Sequence, residues 1–262
     1  MNICRLEHVD LHCREDGDPD GVPVVFSNSL GTDCRLWDPI LPFLPSGLRL
    51  VRYDMRGHGL SSCPEPPYPM GALVADAEAL LDHLGVRDAV FVGCSIGGMI
   101  AQGLAVKRSD QVRAMVLSNT AVKIGTAETW QERIDAVKAG GIESLADAVM
   151  ERWFSREFRA SSELVAWRNM LTRQPADGYI GGSAAISGTD FHTTTANLTL
   201  PTLVIAGSED GSTPPDLVRE TANLVKGSRF ALIRQAGHLP MVERPEEFAG
   251  HLTAFLDDLG HG

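Results

Sequence analysis

The sequence is poor in cysteine, and its cysteines are not spaced for metal binding. Five occur in 262 residues, and no C-x-x-C pair is present. An odd number of scattered cysteines indicates neither a zinc site nor a disulfide framework. The sequence therefore predicts no metal site. The five are Cys4, Cys13, Cys34, Cys63 and Cys94.

Basic side chains are outnumbered by acidic ones. Lys and Arg number 23 against 34 Asp and Glu, which gives a net charge of −11 and a pI near 5.1. This balance argues against nucleic acid or an anionic membrane as a partner. An anionic small molecule would need local Arg or Lys side chains to overcome the overall field. Whether copies of the chain form a homo-oligomer is left open.

No targeting or membrane segment is visible. Residues 1–10 carry three charged side chains and lack the apolar core of an export signal, so we expect a cytoplasmic protein. Residues 89–106 form an uncharged run of 18 residues, which only just reaches the length of a membrane-spanning helix. Glycines and a serine near the middle of this run disfavour a span.

Short apolar runs alternate with helical patterns, and a hydrophobic content of 44% suits one large globular domain. The alternation predicts an α/β fold with a mostly parallel, doubly wound sheet. Strands are predicted at 22–27, 48–53, 89–92, 112–117, 202–206 and 230–233, and helices at 69–84, 96–107, 215–225 and 245–259. A further strand near residues 6–11 could pair with 22–27 as an antiparallel hairpin at the sheet edge.

One long stretch breaks the alternation. Residues 121–196 contain amphipathic helical patterns, at 129–139, 142–154 and 161–172, and no convincing strand. We predict a core of residues 1–120 and 197–262 with 121–196 as a helical cap over the carboxyl edge of the sheet, where ligands of open α/β sheets bind. Extra structural helices are the alternative. Four glycines between residues 177 and 195 predict a loop returning to the core.

The segment Gly93-Cys94-Ser95-Ile96-Gly97-Gly98 fits G-x-S-x-G, with a predicted strand before it and a predicted helix after it. This is the pattern of a nucleophile elbow, which presents a serine hydroxyl above a sheet. Larger side chains at the flanking glycines would collide with the neighbouring strand and helix. A helix-capping Ser95 and a nucleophilic Cys94 are the alternatives, and the off-centre position of Cys94 disfavours the second.

A serine nucleophile needs a base, and the base needs a carboxylate that orients it. His238 follows an apolar strand in a glycine-containing loop, and Asp210 follows the strand 202–206, with Glu209 as a less favoured neighbour. The order Ser95, Asp210, His238 is the order of an α/β-hydrolase triad. Asp54, also at a strand end, is expected to pair with an arginine.

The other histidines receive weaker assignments. His58 is expected in a turn, and His192 is a candidate for the border of the pocket. Five are expected at the surface: His8, His12, His83, His251 and His261.

A developing oxyanion needs two N–H donors. We expect one from Ile96, directly after the nucleophile, and one from Leu30, in the loop after the strand 22–27.

These motifs resemble the α/β-hydrolase superfamily over essentially the whole chain. Many members have His-Gly before the oxyanion residue, whereas Asn28-Ser29 stands here, as in the Asn-Ser-Leu-Gly of 3-oxoadipate enol-lactonases. Segments 118–125, 152–154, 178–180 and 189–191, with Trp130, Arg133 and Ile134, are similar to that family too.

The resemblance implies a serine hydrolase that opens 3-oxoadipate enol-lactone to 3-oxoadipate in aromatic catabolism, through an acyl-enzyme and without a metal or organic cofactor. The small anionic lactone needs a carboxylate anchor, for which Trp130 and Arg133 are the candidates. Further arginines compete with them: Arg152, Arg156, Arg159, Arg168 and Arg173. A cofactor-free haloperoxidase-like enzyme or a general carboxylesterase with the same triad is the alternative, and a non-catalytic ligand sensor is a remote one.

Overall fold

The computed structural model describes residues 2–260, and His261 therefore lies outside the described residues. Eight strands form one sheet in the order β1-β2-β4-β3-β5-β6-β7-β8. Their bounds are β1 Asn2–Arg5, β2 Asp10–Gly17, β3 Val22–Ser27, β4 Leu48–Tyr53, β5 Ala89–Cys94, β6 Val112–Ser118, β7 Thr202–Gly207 and β8 Arg229–Ile233. Across the sheet, every neighbouring pair in the part β4-β3-β5-β6-β7-β8 is parallel. The pairs β1 with β2 and β2 with β4 are antiparallel. The predicted mostly parallel, doubly wound sheet is confirmed.

Helices connect the parallel strands. Those of the core are α1 Met70–His83, α2 Ile96–Lys107, α9 Pro215–Leu224, α10 Pro240–Glu243 and α11 Pro245–Asp258, with a 3₁₀ segment at Cys34–Phe43. The charge-free run that could have been a membrane span is divided between β5 and α2. Within residues 2–260 no helix is both long and apolar enough to cross a membrane.

Six helices lie between β6 and β7, in the stretch predicted to form a cap. They are α3 Ala127–Gly140, α4 Ala146–Trp153, α5 Arg156–Arg159, α6 Leu164–Thr172, α7 Ala176–Ser187 and α8 His192–Thr195. The loop predicted at 177–195 is wrong, because α7 and α8 occupy most of it. The glycines of α7 serve close packing: a Cβ on Gly178 would lie 1.8 Å from the Gly57 carbonyl oxygen, and one on Gly181 would lie 2.3 Å from the Tyr68 ring.

The edge hairpin was predicted with the wrong partners. The antiparallel hairpin joins β1 to β2 through residues 6–9, and β2 pairs on its other side with β4 rather than with β3. The strand predicted near residues 6–11 instead contains the turn between β1 and β2, at residues 6–9.

The strand order places the site. The chain leaves β3 for β4 on one side and later returns to β5 on the other, so the strand order reverses between β3 and β5. Ser27 of β3 is in register with Gly93 of β5, so the loop 28–32 after β3 lies beside the segment that follows β5. Ligands of doubly wound sheets bind in the crevice at such a reversal.

Candidate active site

Ser95 occupies the turn between β5 and α2, as the G-x-S-x-G pattern predicts. Its φ of 56° and ψ of −119° lie in a sparsely populated region for a residue with a side chain. The neighbouring backbone is too close for larger residues, since a Cβ on Gly97 would lie 2.2 Å from the carbonyl oxygen of Ser27. The glycines thus allow the tight turn that holds Ser95 at the carboxyl end of the sheet.

Asp210 and His238 form a buried pair. The Asp210 Oδ2 lies 2.8 Å from the Nδ1 of His238, and the two residues are 5% and 1% exposed. Asp210 Oδ2 also accepts from the Asn119 amide at 2.8 Å and from the Thr213 hydroxyl at 2.7 Å. Burial alone would raise the pKa of the Asp210 carboxyl, but His238, Asn119 and Thr213 outweigh it, and the pKa falls below its ordinary value. An ionised Asp210 fixes the imidazole with its proton on Nδ1.

Sequence reasoning assigned no role to Asn119, which follows β6 with a positive φ of 48°. Besides Asp210, its amide also contacts the carbonyl oxygen of Gly237 at 3.3 Å. Asn119 therefore links the loops that carry Asp210 and His238. Its position in the segment 118–125 was the available signal. The competitor Glu209 instead accepts the backbone N–H of Arg156 at 3.2 Å.

The N–H groups expected to bind the oxyanion are free. Among the described residues, neither the Leu30 nor the Ile96 N–H donates to a protein acceptor. The Ile96 N–H is unpaired because Ile96 opens helix α2, whose first amides have no helical acceptor. The Leu30 N–H belongs to a loop in which hydrogen bonds hold the peptide groups before and after Leu30.

Two contacts set the direction of the Leu30 N–H. The Ser29 carbonyl, in the same peptide plane, accepts from the backbone N–H and the hydroxyl of Thr32 at 3.1 and 2.8 Å. In a trans peptide the N–H points away from the carbonyl, so Thr32 aims the Leu30 N–H. The next N–H, that of Gly31, donates to the Nε2 of His58 at 3.0 Å.

His58 was predicted to be a turn residue, and it does lie in a turn. It is also fully buried and supports the loop 28–32 through Gly31. Burial lowers the pKa of His58 to about 4, so the imidazole is neutral at pH 7 and its Nε2 can accept. This role was not visible in the sequence because 27 residues separate the two partners.

Ser95 and His238 line one cavity of about 170 Å³ together with residues of the cap. Ser95 Oγ has no hydrogen-bond partner among the described residues, whereas the hydroxyl of Ser29 contacts the Nε2 of His238 at 3.4 Å. The cap side of the cavity includes Trp130, Arg133, Arg152 and Tyr179.

The last turn of α4, in the helical segment between β6 and β7, contacts the loops that carry Asp210 and His238. The Trp153 carbonyl accepts the His238 N–H at 2.7 Å, and the Arg152 carbonyl accepts the Gly211 N–H at 3.1 Å. These contacts hold α4 against the loops of Asp210 and His238, and Arg152 is among the residues that line the cavity.

Arg133 and Arg152 both lack a carboxylate partner within the described part of the chain. The Arg133 guanidinium stacks 4.5 Å from the centre of the Trp130 ring. Burial, and then the charge of Arg133, lower the pKa of Arg152, so the two cations repel each other. In a protein of net charge −11, two guanidinium groups without a described carboxylate partner thus lie at one cavity, and guanidinium groups are well suited to bind carboxylates.

The other candidate arginines lie elsewhere. Arg168 pairs with Glu143 and Asp147, and Arg159 contacts Glu151. Arg156 is exposed, and Arg173 lines a separate cavity of about 530 Å³.

Three assignments outside the site need correction. Asp54 pairs with His12, not with an arginine: its Oδ2 lies 2.8 Å from the His12 Nδ1. His12, expected at the surface, is 6% exposed because strand β2 carries it inside the sheet. His192 lies outside the cavity lining and contacts Asp190 at 2.7 Å near the surface.

A family model described as alpha/beta hydrolase fold matches residues 22–245, most of the chain. The chain belongs to the α/β-hydrolase family. Two relatives from Acinetobacter baylyi are named 3-oxoadipate enol-lactonase 1 and 2. The first is 34% identical over 92% of this chain and 91% of its own length, and the second 32% identical over 95% and 94%.

Among solved structures, the enol-lactonase from Burkholderia xenovorans LB400 is 33% identical. It superposes with a TM-score of 0.94 over 98% of this chain and 100% of its own. The resemblance predicted from the sequence is therefore confirmed: this α/β hydrolase is a relative of 3-oxoadipate enol-lactonases over nearly its full length.

Proposed function

We propose that this α/β hydrolase is a lactone hydrolase that opens 3-oxoadipate enol-lactone to 3-oxoadipate, as a step in aromatic catabolism. The observation that carries the proposal is the unpaired pair Arg133 and Arg152, in the cavity that contains Ser95 and His238. The enol-lactone combines an ester carbonyl for the serine with a carboxylate for the arginines. The similarity of the chain to enol-lactonases supports the same substrate.

Acylation begins at Ser95. His238 Nε2 takes the hydroxyl proton as Ser95 Oγ attacks the lactone carbonyl, and Asp210 stabilises the imidazolium through Nδ1. The N–H groups of Leu30 and Ile96 receive the carbonyl oxygen as it becomes negative. Because both N–H groups are free and the Leu30 peptide is fixed, they need little rearrangement to do so.

Collapse of the tetrahedral intermediate breaks the ring C–O bond and expels an enolate, which becomes the ketone on protonation. The acyl group remains on Ser95. Water, deprotonated by His238, then attacks the ester carbonyl, and the returning proton frees Ser95. No step in this sequence calls on a metal or an organic cofactor.

The carboxylate of the substrate would lie between Arg133 and Arg152. Neutralising two guanidinium groups that repel each other relieves a cost already present in the free protein, so binding of an anion is favoured there. Trp130 keeps Arg133 in place through its ring face, and its indole N–H donates to the Ile124 carbonyl at 2.6 Å.

The first test is the loss of 3-oxoadipate enol-lactone, generated in situ, by the purified protein beside Ser95→Ala. We expect turnover that falls by several orders of magnitude in the variant, as triad losses do. A lactone that persists while a neutral ester is hydrolysed would overturn the substrate assignment. The protein would then be a general carboxylesterase or a haloperoxidase-like enzyme.

The anion site has its own test. Arg152→Gln and Arg133→Gln should each lower kcat/KM for the lactone about 10- to 100-fold, which corresponds to the loss of one charge-assisted hydrogen bond. They should change kcat/KM for a neutral ester by less than about threefold. Arg156→Gln, an exposed arginine outside the cavity, is the matched control. Equal losses on both substrates would remove the pair from the carboxylate site.

A further inference from the structure

The hydroxyl of Ser29 is a second alcohol in the cavity, beside that of Ser95. Ser29 is 1% exposed and lines the cavity, and its Oγ has one hydrogen-bonding contact, to the Nε2 of His238 at 3.4 Å. A buried hydroxyl has one donor and two acceptor positions. Ser29 Oγ therefore keeps hydrogen-bonding capacity that no other described protein group uses.

The neighbouring Asn28 is engaged in the core instead. Its Oδ1 accepts from the Trp37 indole at 2.8 Å, and its Nδ2 donates to the Tyr53 carbonyl at 2.7 Å. Many α/β hydrolases have His-Gly at these two positions, and a glycine at position 29 would supply no hydroxyl. Compared with a His-Gly pair, Asn28-Ser29 therefore changes the chemistry of the cavity through the hydroxyl of Ser29.

The tautomer of His238 decides what Ser29 does in the free enzyme. Asp210 holds the proton on Nδ1, so Nε2 of the neutral imidazole is an acceptor, and the Ser29 hydroxyl donates to it. After His238 has taken the Ser95 proton, Nε2–H is a donor. The Ser29 oxygen then accepts, and its own hydrogen is free to turn into the cavity.

We propose that Ser29 is a further catalytic residue, whose hydroxyl donates to the ring oxygen of the lactone as that oxygen leaves. The proposal rests on the proposed function, because it needs an ester whose leaving oxygen becomes basic next to His238. It assigns Leu30 and Ile96 to the carbonyl oxygen and Ser29 to the leaving oxygen.

The step balances in atoms and electrons. When the ring C–O bond breaks, its electron pair moves to the ring oxygen and makes an enolate. Ser29 gives its hydroxyl proton to that oxygen and takes the Nε2 proton of His238. Ser29 ends as a hydroxyl, His238 as a neutral base ready for water, and the leaving group as an enol that tautomerises to the ketone. No oxidant, reductant or co-reactant takes part.

A purely positioning role makes a different prediction. If Ser29 only held His238 in place, its loss would slow every ester, because His238 must deprotonate Ser95 whatever the substrate is. Assistance to the leaving oxygen matters only when that oxygen is basic. A p-nitrophenolate leaves without a proton, whereas an enolate and still more an alkoxide benefit from one.

The experiment compares kcat/KM, which reports acylation, for three substrates: the enol-lactone, an alkyl ester and the p-nitrophenyl ester of the same acid. The variants are Ser29→Ala, Ser29→Thr and Ser183→Ala. Ser183 is the matched control, since it is also fully buried and its hydroxyl has no hydrogen-bond partner among the described residues, but it does not line the cavity.

We expect Ser29→Ala to lower kcat/KM about 10- to 100-fold for the lactone and the alkyl ester, and less than about threefold for the p-nitrophenyl ester. Ser29→Thr, which restores a hydroxyl, should recover most of the loss, and Ser183→Ala should match the wild type. Equal losses on all three substrates, or none on any, would overturn the proposal.

The outcome is separable from that of the proposed function. If the wild type leaves the lactone intact but cleaves both esters in a Ser95-dependent manner, the substrate assignment fails. The alkyl and p-nitrophenyl esters then still decide the role of Ser29.

Discussion

Replacing His58 with leucine should slow catalysis although His58 touches neither the nucleophile nor the base. The imidazole accepts the Gly31 N–H at 3.0 Å, and Gly31 directly follows Leu30, the proposed oxyanion donor. His58→Leu leaves that N–H without its acceptor in a buried loop. The Leu30–Gly31 peptide, which follows the peptide that carries the Leu30 N–H, then loses its anchor, so the loop shifts and the Leu30 N–H is misdirected.

The magnitude follows from two costs. A buried N–H left unsatisfied lowers the free energy of unfolding by about 1–3 kcal/mol. Complete loss of an oxyanion donor lowers kcat about 100- to 1000-fold, so a misdirected donor should lower it roughly 10- to 100-fold. His58→Gln places an amide oxygen near the position of Nε2 and should recover most of both losses.

The pH dependence of the free energy of unfolding gives a second test of the role of His58. Burial lowers the pKa of His58 from 6.5 to about 4, so the unfolded chain binds the proton more readily than the folded protein. The protein therefore loses stability as the pH falls from about 6.5 towards 4. At about 1.4 kcal/mol per pH unit, the loss from His58 is about 2 kcal/mol at pH 5 and approaches about 3 kcal/mol at lower pH. His58→Gln lacks this contribution.

The assay is urea unfolding at pH 7 and pH 5, with kcat measured at pH 7 on a p-nitrophenyl ester. Wild type should lose about 2 kcal/mol more than His58→Gln between the two pH values. The reasoning is refuted by a His58→Leu variant with unchanged kcat, or by parallel pH dependence in wild type and His58→Gln.

Two further predictions concern packing and thiols. Gly97→Ala should destabilise the protein by about 1–3 kcal/mol or more, because its Cβ would lie 2.2 Å from a backbone oxygen. Gly250→Ala, in helix α11, should stabilise it by about 0.5–1 kcal/mol, because the added Cβ would meet no described atom within 4 Å beyond its own stretch of helix; urea unfolding of both variants checks the signs. Ellman's reagent should find one fast thiol in the native protein, that of the exposed Cys63, and five after unfolding. Because the sulfur atoms of Cys4 and Cys13 lie 2.9 Å apart, mild oxidation should join them, and peptide mapping of the oxidised protein should recover the Cys4–Cys13 disulfide; its absence would contradict the pairing.

Residues with local requirements were predictable from the sequence. The elbow at Ser95 needs glycines within two positions, so its motif is contiguous and the strand and helix around it could be placed. Asp210 and His238 each follow a strand, and the carboxyl ends of parallel strands meet at one edge of the sheet. Their proximity was therefore expected, and the structure places them 2.8 Å apart. Leu30 and Ile96 also follow parallel strands, so their N–H groups were expected at the same edge of the sheet.

Contacts between distant segments required the tertiary structure. The glycines of α7 read as a loop in the sequence because glycine weakens an isolated helix, but close contact with Gly57 and Tyr68 makes small residues necessary there. His12 was expected at the surface, but the pairing of β2 with β4 brings His12 next to Asp54. Sequence position alone could not reveal either partner.

The sequence by itself determined the fold class and the turn that presents Ser95, and it singled out the three side chains proposed to be catalytic. Each depends on local backbone geometry or on the alternation of strands and helices. Only the tertiary structure decided that Arg152 joins Arg133, that Asn119 supports Asp210 and that His58 supports the loop 28–32. These roles depend on which side chains of separate segments meet at short distance and without water between them, and no local pattern in the chain encodes that.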